Sequence, residues 1–369
     1  MCVNITINLI QDLATPHNNL LISELVGLEN VKVNLWYADS EDSMYEWSYD
    51  ITNQHAPATI YGKGLNLSFL RYCISAKEEI FFIVGWLNIN TILLHILFLV
   101  LRRPYNHWTD RPQPILGSFF SVKKIRRWLG TKILQFSNCK IFGVGITSLN
   151  YFLDKNLPSN KLVNLPISVS VDDIGHFHSK RTDLLKSYNV PEEGYLLSAG
   201  SRLIFSKGFD LLLQAFANIP LELRRKTVLV IVGKGEEMPL LEQMVSELRI
   251  SESVVMEKWL DIDDFRCLIA NSDIFVHPAR FDAYGGTALS MALNTPTIGS
   301  TGSGAAVDRI QHGINGLLYE ATDTQALASH ITELLSNSDL RKRIGDAGRE
   351  TAKEWAPRRC ADILVKNVI

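Results

Sequence analysis

Two doubly wound α/β domains, each on a parallel sheet, are what this sequence predicts. Three observations predict them. The chain has 369 residues, more than one ordinary core organises. Short apolar runs alternate with amphipathic segments, as strands joined through crossover helices do. The alternation breaks at a polar stretch near the middle and then restarts.

In the first half, Val3 to Leu9 reads as a strand, Leu20 to Leu28 as a helix, and Val31 to Tyr37 as an alternating strand. Ala38 to Thr59 is polar and aromatic and has no assignable period. A helix near Leu67 to Lys77 and a strand at Ile80 to Val84 follow. Ile80 to Leu101 as a whole is long and apolar enough for a membrane span, but Gly85, Asn88, Asn90, Thr91 and His95 interrupt it. A buried strand, a turn and a helix from Asn90 to Leu101 fit better. That helix is apolar nearly all round, so it is deeply packed or partly laid on lipid. Tyr105 to Trp108 is a short strand. Val122 to Phe136 is a basic amphipathic helix led by Lys123, Lys124, Arg126 and Arg127. Lys140 to Val144 is a strand and Leu149 to Asn156 a helix. Leu165-Pro166 and the polar run Val171 to Lys180 read as a linker.

The second half repeats the pattern more clearly. Strands are expected at Tyr195 to Ala199, Thr227 to Val232, Val254 to Glu257, Ile274 to His277, Thr297 to Gly299 and Leu317 to Tyr319. The β-branched run from Thr227 suits a central parallel strand. Helices fall at Gly208 to Ala217, Pro239 to Leu248, Ile262 to Asn271 and Thr287 to Ala292, then at Thr324 to Ser336 and Asp339 to Ala352. A last helix follows Pro357, a residue suited to a first helical position.

Composition narrows the function. Apolar residues make up 46% and the net charge is −2, which excludes a protein that holds nucleic acid through bulk charge. Cys2, Cys73, Cys139, Cys267 and Cys360 are odd in number and far apart, with no C-x-x-C. They read as free thiols of a reducing cytoplasm rather than as a disulfide framework or zinc ribbon. The start lacks the basic region of a secretory leader.

Three loops carry the chemistry. In Phe275 to Thr287 a buried strand ends at His277, Asp282 follows, and Gly285-Gly286 open a helix. Glycines let backbone approach a ligand, and the first amides of a helix are free to meet an anion such as phosphate. In Ser198 to Gly208, Arg202 and Lys207 stand between a strand and a helix, within reach of the same carboxyl edge. Ile298 to Asp308 is a Gly/Ser-rich turn expected to be a flexible connection or a further source of backbone donors. Competing motifs are thin. Gly143-Val144-Gly145 lacks the third glycine of a dinucleotide site, and no Ser or Thr follows Lys234 as a P-loop needs. No metal-ligand cluster or nucleophile elbow is evident.

The ordered set Gly-x-Arg-x4-Lys-Gly, Val-Gly-x-Gly (Val232 to Gly235), His-Pro-x3-Asp-x-Tyr-Gly and Gly-x-Asn-Gly-Leu-Leu resembles the retaining glycosyltransferases of family 4. The likeness is best over about residues 195 to 320. It implies the GT-B fold, two Rossmann-like doubly wound parallel-sheet domains facing a cleft. The expected divisions are 1–166 for the acceptor domain, 167–352 for the nucleotide-sugar domain, and 353–369 for a helix crossing back. The resemblance implies that Arg202 and Lys207 bind the donor diphosphate, with Tyr284 and the amides of Gly285, Gly286 and Thr287 beside it. The family's two spaced glutamates fall on Asp282, facing the donor sugar, and on Ser290, at the ribose. Asp282 keeps the charge on a shorter stem, whereas Ser290 loses the bidentate grip on a diol. His107 falls near the family's histidine by the anomeric carbon, with His17 as a rival in the segment Asp12 to Asn18 that replaces a glycine-rich loop. Trp86 is a core residue or, less simply, a sugar platform in the acceptor cleft.

The expected activity is transfer of a sugar from a nucleoside-diphosphate sugar to a hydroxyl, with retention and with no cofactor or metal. The acceptor expected is a glycan or lipid-linked oligosaccharide of bacterial surface-polysaccharide assembly. The expected location is cytoplasmic, with peripheral contact to the inner membrane face and no nucleic acid partner. The alternatives are a non-catalytic sugar-binding subunit and a nucleotide-sugar isomerase of the same fold.

Overall fold

The computed structural model describes residues 5–39, 56–86, 88–115, 121–171 and 174–368. Most of the unassigned stretch from Ala38 to Thr59 lies outside them, as do Cys2 and the side chain of His17. The chain divides into two compact units, Met1–Ser168 with Pro357–Ile369, and Val169–Ala356.

The first unit carries a seven-stranded parallel sheet. Its strands are β1 (Ile5–Gln11), β2 (Val31–Tyr37), β3 (Ala58–Ile60), β4 (Ile80–Val84), β5 (Tyr105–Thr109), β6 (Cys139–Gly143) and β7 (Leu162–Asn164). They lie in the order β3-β2-β1-β4-β5-β6-β7. Order reverses between β1 and β4, which pair from Ile7 with Ile80 to Ile10 with Ile83. The apolar segment is split as the sequence suggests, into β4 and the helix Ile89–Val100, capped by Asn88. Among the described residues no helix is long and apolar enough to cross a membrane. Phe81, Ile83, Leu94, Phe98 and Tyr105 bury that helix against the sheet. The helix Pro357–Asn367 buries Cys360, Ala361 and Leu364 and packs on the helix Pro16–Val26.

The second unit has six parallel strands, β8 (Tyr195–Gly200), β9 (Thr227–Val232), β10 (Val254–Glu257), β11 (Ile274–His277), β12 (Thr297–Ser300) and β13 (Leu317–Tyr319). Their order is β10-β9-β8-β11-β12-β13. All six residues of β9 are buried, because both faces of the sheet are covered. Leu229 and Ile231 join one core, and Val228, Val230 and Val232 join the other, as period-two alternation requires.

Two expectations fail locally. The linker Val171 to Lys180 is partly helical: Ile174–His178 forms a short helix whose Ile174 and Phe177 pack against Ile269, Phe275 and Leu293. The Gly/Ser-rich turn after β12 contains a helix, Gly304–Arg309, whose cap is the Ser303 hydroxyl accepting from the Ala306 amide.

Candidate functional site

The site is built where strand order reverses in the second unit, between β8 and β11. There the loops leaving two neighbouring strands diverge and open a crevice at the carboxyl edge of the sheet. Three loops meet at this edge and are bonded to one another. The Phe281 amide donates to the Ser206 carbonyl at 2.9 Å, and the Asp282 amide to Gly302 at 3.0 Å. The Gly304 and Ala305 amides donate to the carbonyls of Asp282 (3.1 Å) and Tyr284 (2.8 Å). Arg280 grips both carboxylate oxygens of Asp210 at 2.6 Å and stacks over Phe205 at 4.1 Å. Gly208 allows the first two loops to touch. It has φ +69°, and a Cβ there would lie 2.2 Å from the Pro278 carbonyl oxygen.

This stitching brings Lys207, Asp282 and His277 together. The Lys207 ammonium lies 2.5 Å from Asp282 Oδ2, and His277 Nε2 lies 3.1 Å from the same oxygen. All three side chains are nearly buried, at 9%, 12% and 4% exposure. Burial works to raise the Asp282 pKa. The His277 hydrogen bond and charge, together with Lys207, outweigh it and hold the carboxyl well below its usual range. Asp282 is therefore an anion at neutral pH, not a proton donor.

The glycine turn sits directly on this group. Gly285 has φ +93°, and a Cβ on it would fall 2.4 Å from His277 Nε2. Only glycine fits both the backbone and the imidazole. Gly286 caps the helix Thr287–Ala292 with no side chain in the way. Tyr284 is buried, and its hydroxyl accepts from Arg309 Nε at 2.7 Å. Arg309, the last residue of the helix Gly304–Arg309, thus holds the ring next to Gly285 from behind. Thr287 is fully buried. Arg202 is partly exposed at the start of the loop that ends in Lys207.

Two expected site residues are fully buried and partnered within their own units. Ser290 has no exposed surface. Its hydroxyl donates to the Thr287 carbonyl at 2.9 Å and pairs with Thr297 Oγ1 at 2.8 Å. It closes the helix onto β12 rather than presenting a hydroxyl to a ribose. His107 lies in the first unit in the middle of β5, with no exposed surface. Its Nδ1 meets His95 Nε2 at 3.0 Å, and Trp86 stacks on His95 at 3.9 Å between centroids. Burial, with His95 beside it, pushes His107 well below its ordinary pKa, and burial lowers His95 to about 4. His107 is thus a neutral packing histidine away from any surface. Trp86 is partly buried and packs between His95 and Gly130 at the margin of the first unit's core.

The sequence reading left His277 and Arg309 without roles. For His277 the signal was present: a histidine ending a buried strand with a carboxylate five residues on. Arg309 gave none, since a cation after a Gly/Ser turn usually reads as solvated. Among the described residues no group of three or more His, Cys, Asp or Glu is placed to hold a metal ion.

Two all-parallel units with this strand order and this stitched edge define the GT-B class of fold. The Anabaena HepE structure in complex with UDP superposes over 98% of this chain and 99% of that one, with TM-score 0.76. At 16% identity this likeness carries the fold alone. More particularly, residues 180–351, which lie within the second unit, match the family model of glycosyl transferases group 1. N-acetyl-alpha-D-glucosaminyl L-malate synthase of Bacillus anthracis is 31% identical over 185 residues, covering 50% of this chain and 47% of that protein. The lipopolysaccharide core biosynthesis glycosyltransferase LpsE of Rhizobium meliloti is 29% identical over 164 residues, 44% of this chain and 46% of that protein. The chain thus spans about half the length of the curated relatives it matches.

Proposed function

We propose that this chain is a nucleotide-sugar-dependent glycosyltransferase whose donor diphosphate binds at the Lys207–Asp282–Gly285 edge of the second unit. The observation that carries the reading is the 2.5 Å contact of Lys207 with Asp282, made across two loops directly beside a glycine turn that opens a helix. The match to glycosyl transferases group 1 over the same residues supports it.

The chemistry follows from charge. When the bond between sugar and phosphate breaks, negative charge grows on the diphosphate. Lys207, Arg202 and the amides of Gly285, Gly286 and Thr287 are the groups that stabilise it there. A bound diphosphate competes with Asp282 for Lys207. Asp282, still held by His277, is then free to accept from a sugar hydroxyl. Retention of configuration follows the family 4 resemblance. The acceptor is a hydroxyl of a glycan or lipid-linked oligosaccharide, in the kind of surface-glycan assembly for which LpsE is named. The enzyme works in the cytoplasm, where nucleotide sugars are made.

A sugar-binding subunit without transferase activity is a second reading, favoured by one observation: Ser290, buried and bonded to Thr297, offers no carboxylate to a ribose. One experiment separates the readings. The unfolding midpoint is measured with UDP, GDP, ADP and their sugars, followed by nucleotide release from the sugar that stabilises most. Ligand at 100 times its Kd adds about 2.7 kcal/mol. Stabilisation with slow donor hydrolysis supports the transferase, and stabilisation without turnover or transfer supports the subunit. Interconversion of the donor would mark an isomerase. No response to any nucleotide at millimolar concentration would remove the donor site.

A further inference from the structure

Behind the glycine turn the fold buries a guanidinium. Arg309 is 3% exposed and ends the helix Gly304–Arg309. Taking a charged side chain out of water is costly, and an apolar residue would fill the same space without that cost. What a guanidinium adds is directed bonds. Its Nε donates to the Tyr284 hydroxyl at 2.7 Å, and its central carbon lies 5.3 Å from the centre of the Tyr284 ring and 5.8 Å from that of Trp355. The residue is held at its other end too. The Arg309 carbonyl accepts from Asn315 Nδ2 at 2.9 Å, and the same amide group donates to Thr351 Oγ1 at 2.8 Å. Thr351 lies on the helix Ser338–Lys353, so the arginine is anchored to the body of the second unit rather than to the loop it touches.

Tyr284 is thereby tied to one helix at both ends. Its carbonyl accepts from the Ser303 hydroxyl and from the Ala305 amide, each at 2.8 Å, where that helix begins. Its hydroxyl accepts from Arg309, where the helix ends. The Tyr284 carbonyl and the Gly285 amide belong to one planar trans peptide and point in opposite directions. A carbonyl fixed towards the helix therefore fixes the Gly285 N–H away from it. Gly285 and Gly286 have no side chains to hold the turn, so its aim depends on the residue before them. Amides aimed in advance need no rearrangement when an anion arrives. Arg309 is buried, so it acts through Tyr284 and not on the ligand.

We infer that Arg309 is a positioning residue for a nucleoside diphosphate: bonded to the Tyr284 hydroxyl, it holds the Tyr284–Gly285 peptide in the orientation that turns the glycine amides to the phosphates. The inference rests on the donor-site reading above.

The test is calorimetric titration of the full chain with UDP, GDP and ADP, followed by the nucleoside of whichever binds, measured by displacement. Tyr284→Phe keeps the ring and removes only the hydroxyl. It should weaken diphosphate binding about tenfold, the worth of one hydrogen bond to a charged group, and leave nucleoside affinity within about twofold. Arg309→Met should do the same, and the two combined should be no worse than either alone, because both remove one bond. Arg309→Lys, whose ammonium keeps a donor, should recover part of the loss, and only while Tyr284 keeps its hydroxyl. Equal losses for nucleoside and diphosphate, additive losses in the combined variant, or unchanged diphosphate binding by Tyr284→Phe would each overturn the inference and leave the donor site in place. Failure of the unaltered chain to bind any of the three diphosphates would instead remove the donor site, and this role with it.

Discussion

Each unit buries histidine in a parallel sheet, the two alike in strand order save for one extra edge strand in the first, and the neighbours make two different groups of them. In the first unit His107 meets His95, with Trp86 and Tyr105 around the pair. Burial drives both rings towards the neutral form, and they become packing. In the second unit His277 is just as buried, but a loop from the next crossover brings Asp282 to it and another brings Lys207. The same side chain then joins a charged network at the carboxyl edge of the sheet. Burial alone leaves a histidine as packing; an opposing charge delivered by a loop makes it part of an ion-pair network.

Lys207→Ala is the strongest way to break this contrast. It leaves the Asp282 anion without its ammonium, which should destabilise the second unit by about 3 kcal/mol. Donor turnover should fall roughly 10- to 100-fold through the lost charge-assisted bonds. Chemical unfolding and kcat/KM check the two halves, and unchanged turnover would take Lys207 out of the site. Gly285→Ala comes next. Its methyl would strike His277 and its φ is unfavourable, so a loss of about 2–3 kcal/mol is expected from the unfolding midpoint.

The third prediction concerns pH and the first unit. In the unfolded chain His95 titrates near 6.5, while in the fold it resists protonation until about 4. The unfolded state therefore takes up the proton first. Stability is complete above pH 6.5 and declines as pH falls towards 4, by about 2 kcal/mol at pH 5 from His95. Burial of His107 acts with the same sign. Denaturant unfolding at pH 7 and 5 measures this, and His95→Gln should flatten the slope. The smallest effect expected is that of Ser290→Glu. Placing a longer, charged side chain where the Ser290 hydroxyl meets Thr297 should cost about 1–2 kcal/mol and should not tighten UDP binding. Tighter binding would show that the buried position opens to the ligand.

The second unit was largely legible because its strands are short, β-branched and bounded by glycine, and its loops hold cations and a carboxylate at recognisable spacings. The failures have physical causes. Tyr105 to Trp108 is buried throughout, so alternation could not reveal which way His107 points. The helix Gly304–Arg309 is six residues long, too short for a period to show, although Ser303 was a cap signal. Ser290 looked open because its place in the helix was readable, whereas its partner Thr297 sits on another strand. The Lys207–Asp282 contact joins residues 75 positions apart in the chain, and only the parallel register of β8 and β11 sets them side by side.

The helix Pro357–Asn367 has a consequence for how this molecule is made. It belongs to the first unit, yet the ribosome reaches it only after the entire second unit has been synthesised. The later-made body can close while the earlier one still waits for Cys360, Ala361 and Leu364 to cover the helix Pro16–Val26. A nascent chain stalled just before Pro357 would therefore carry a finished insert on an unfinished host, with an apolar groove open to chaperones.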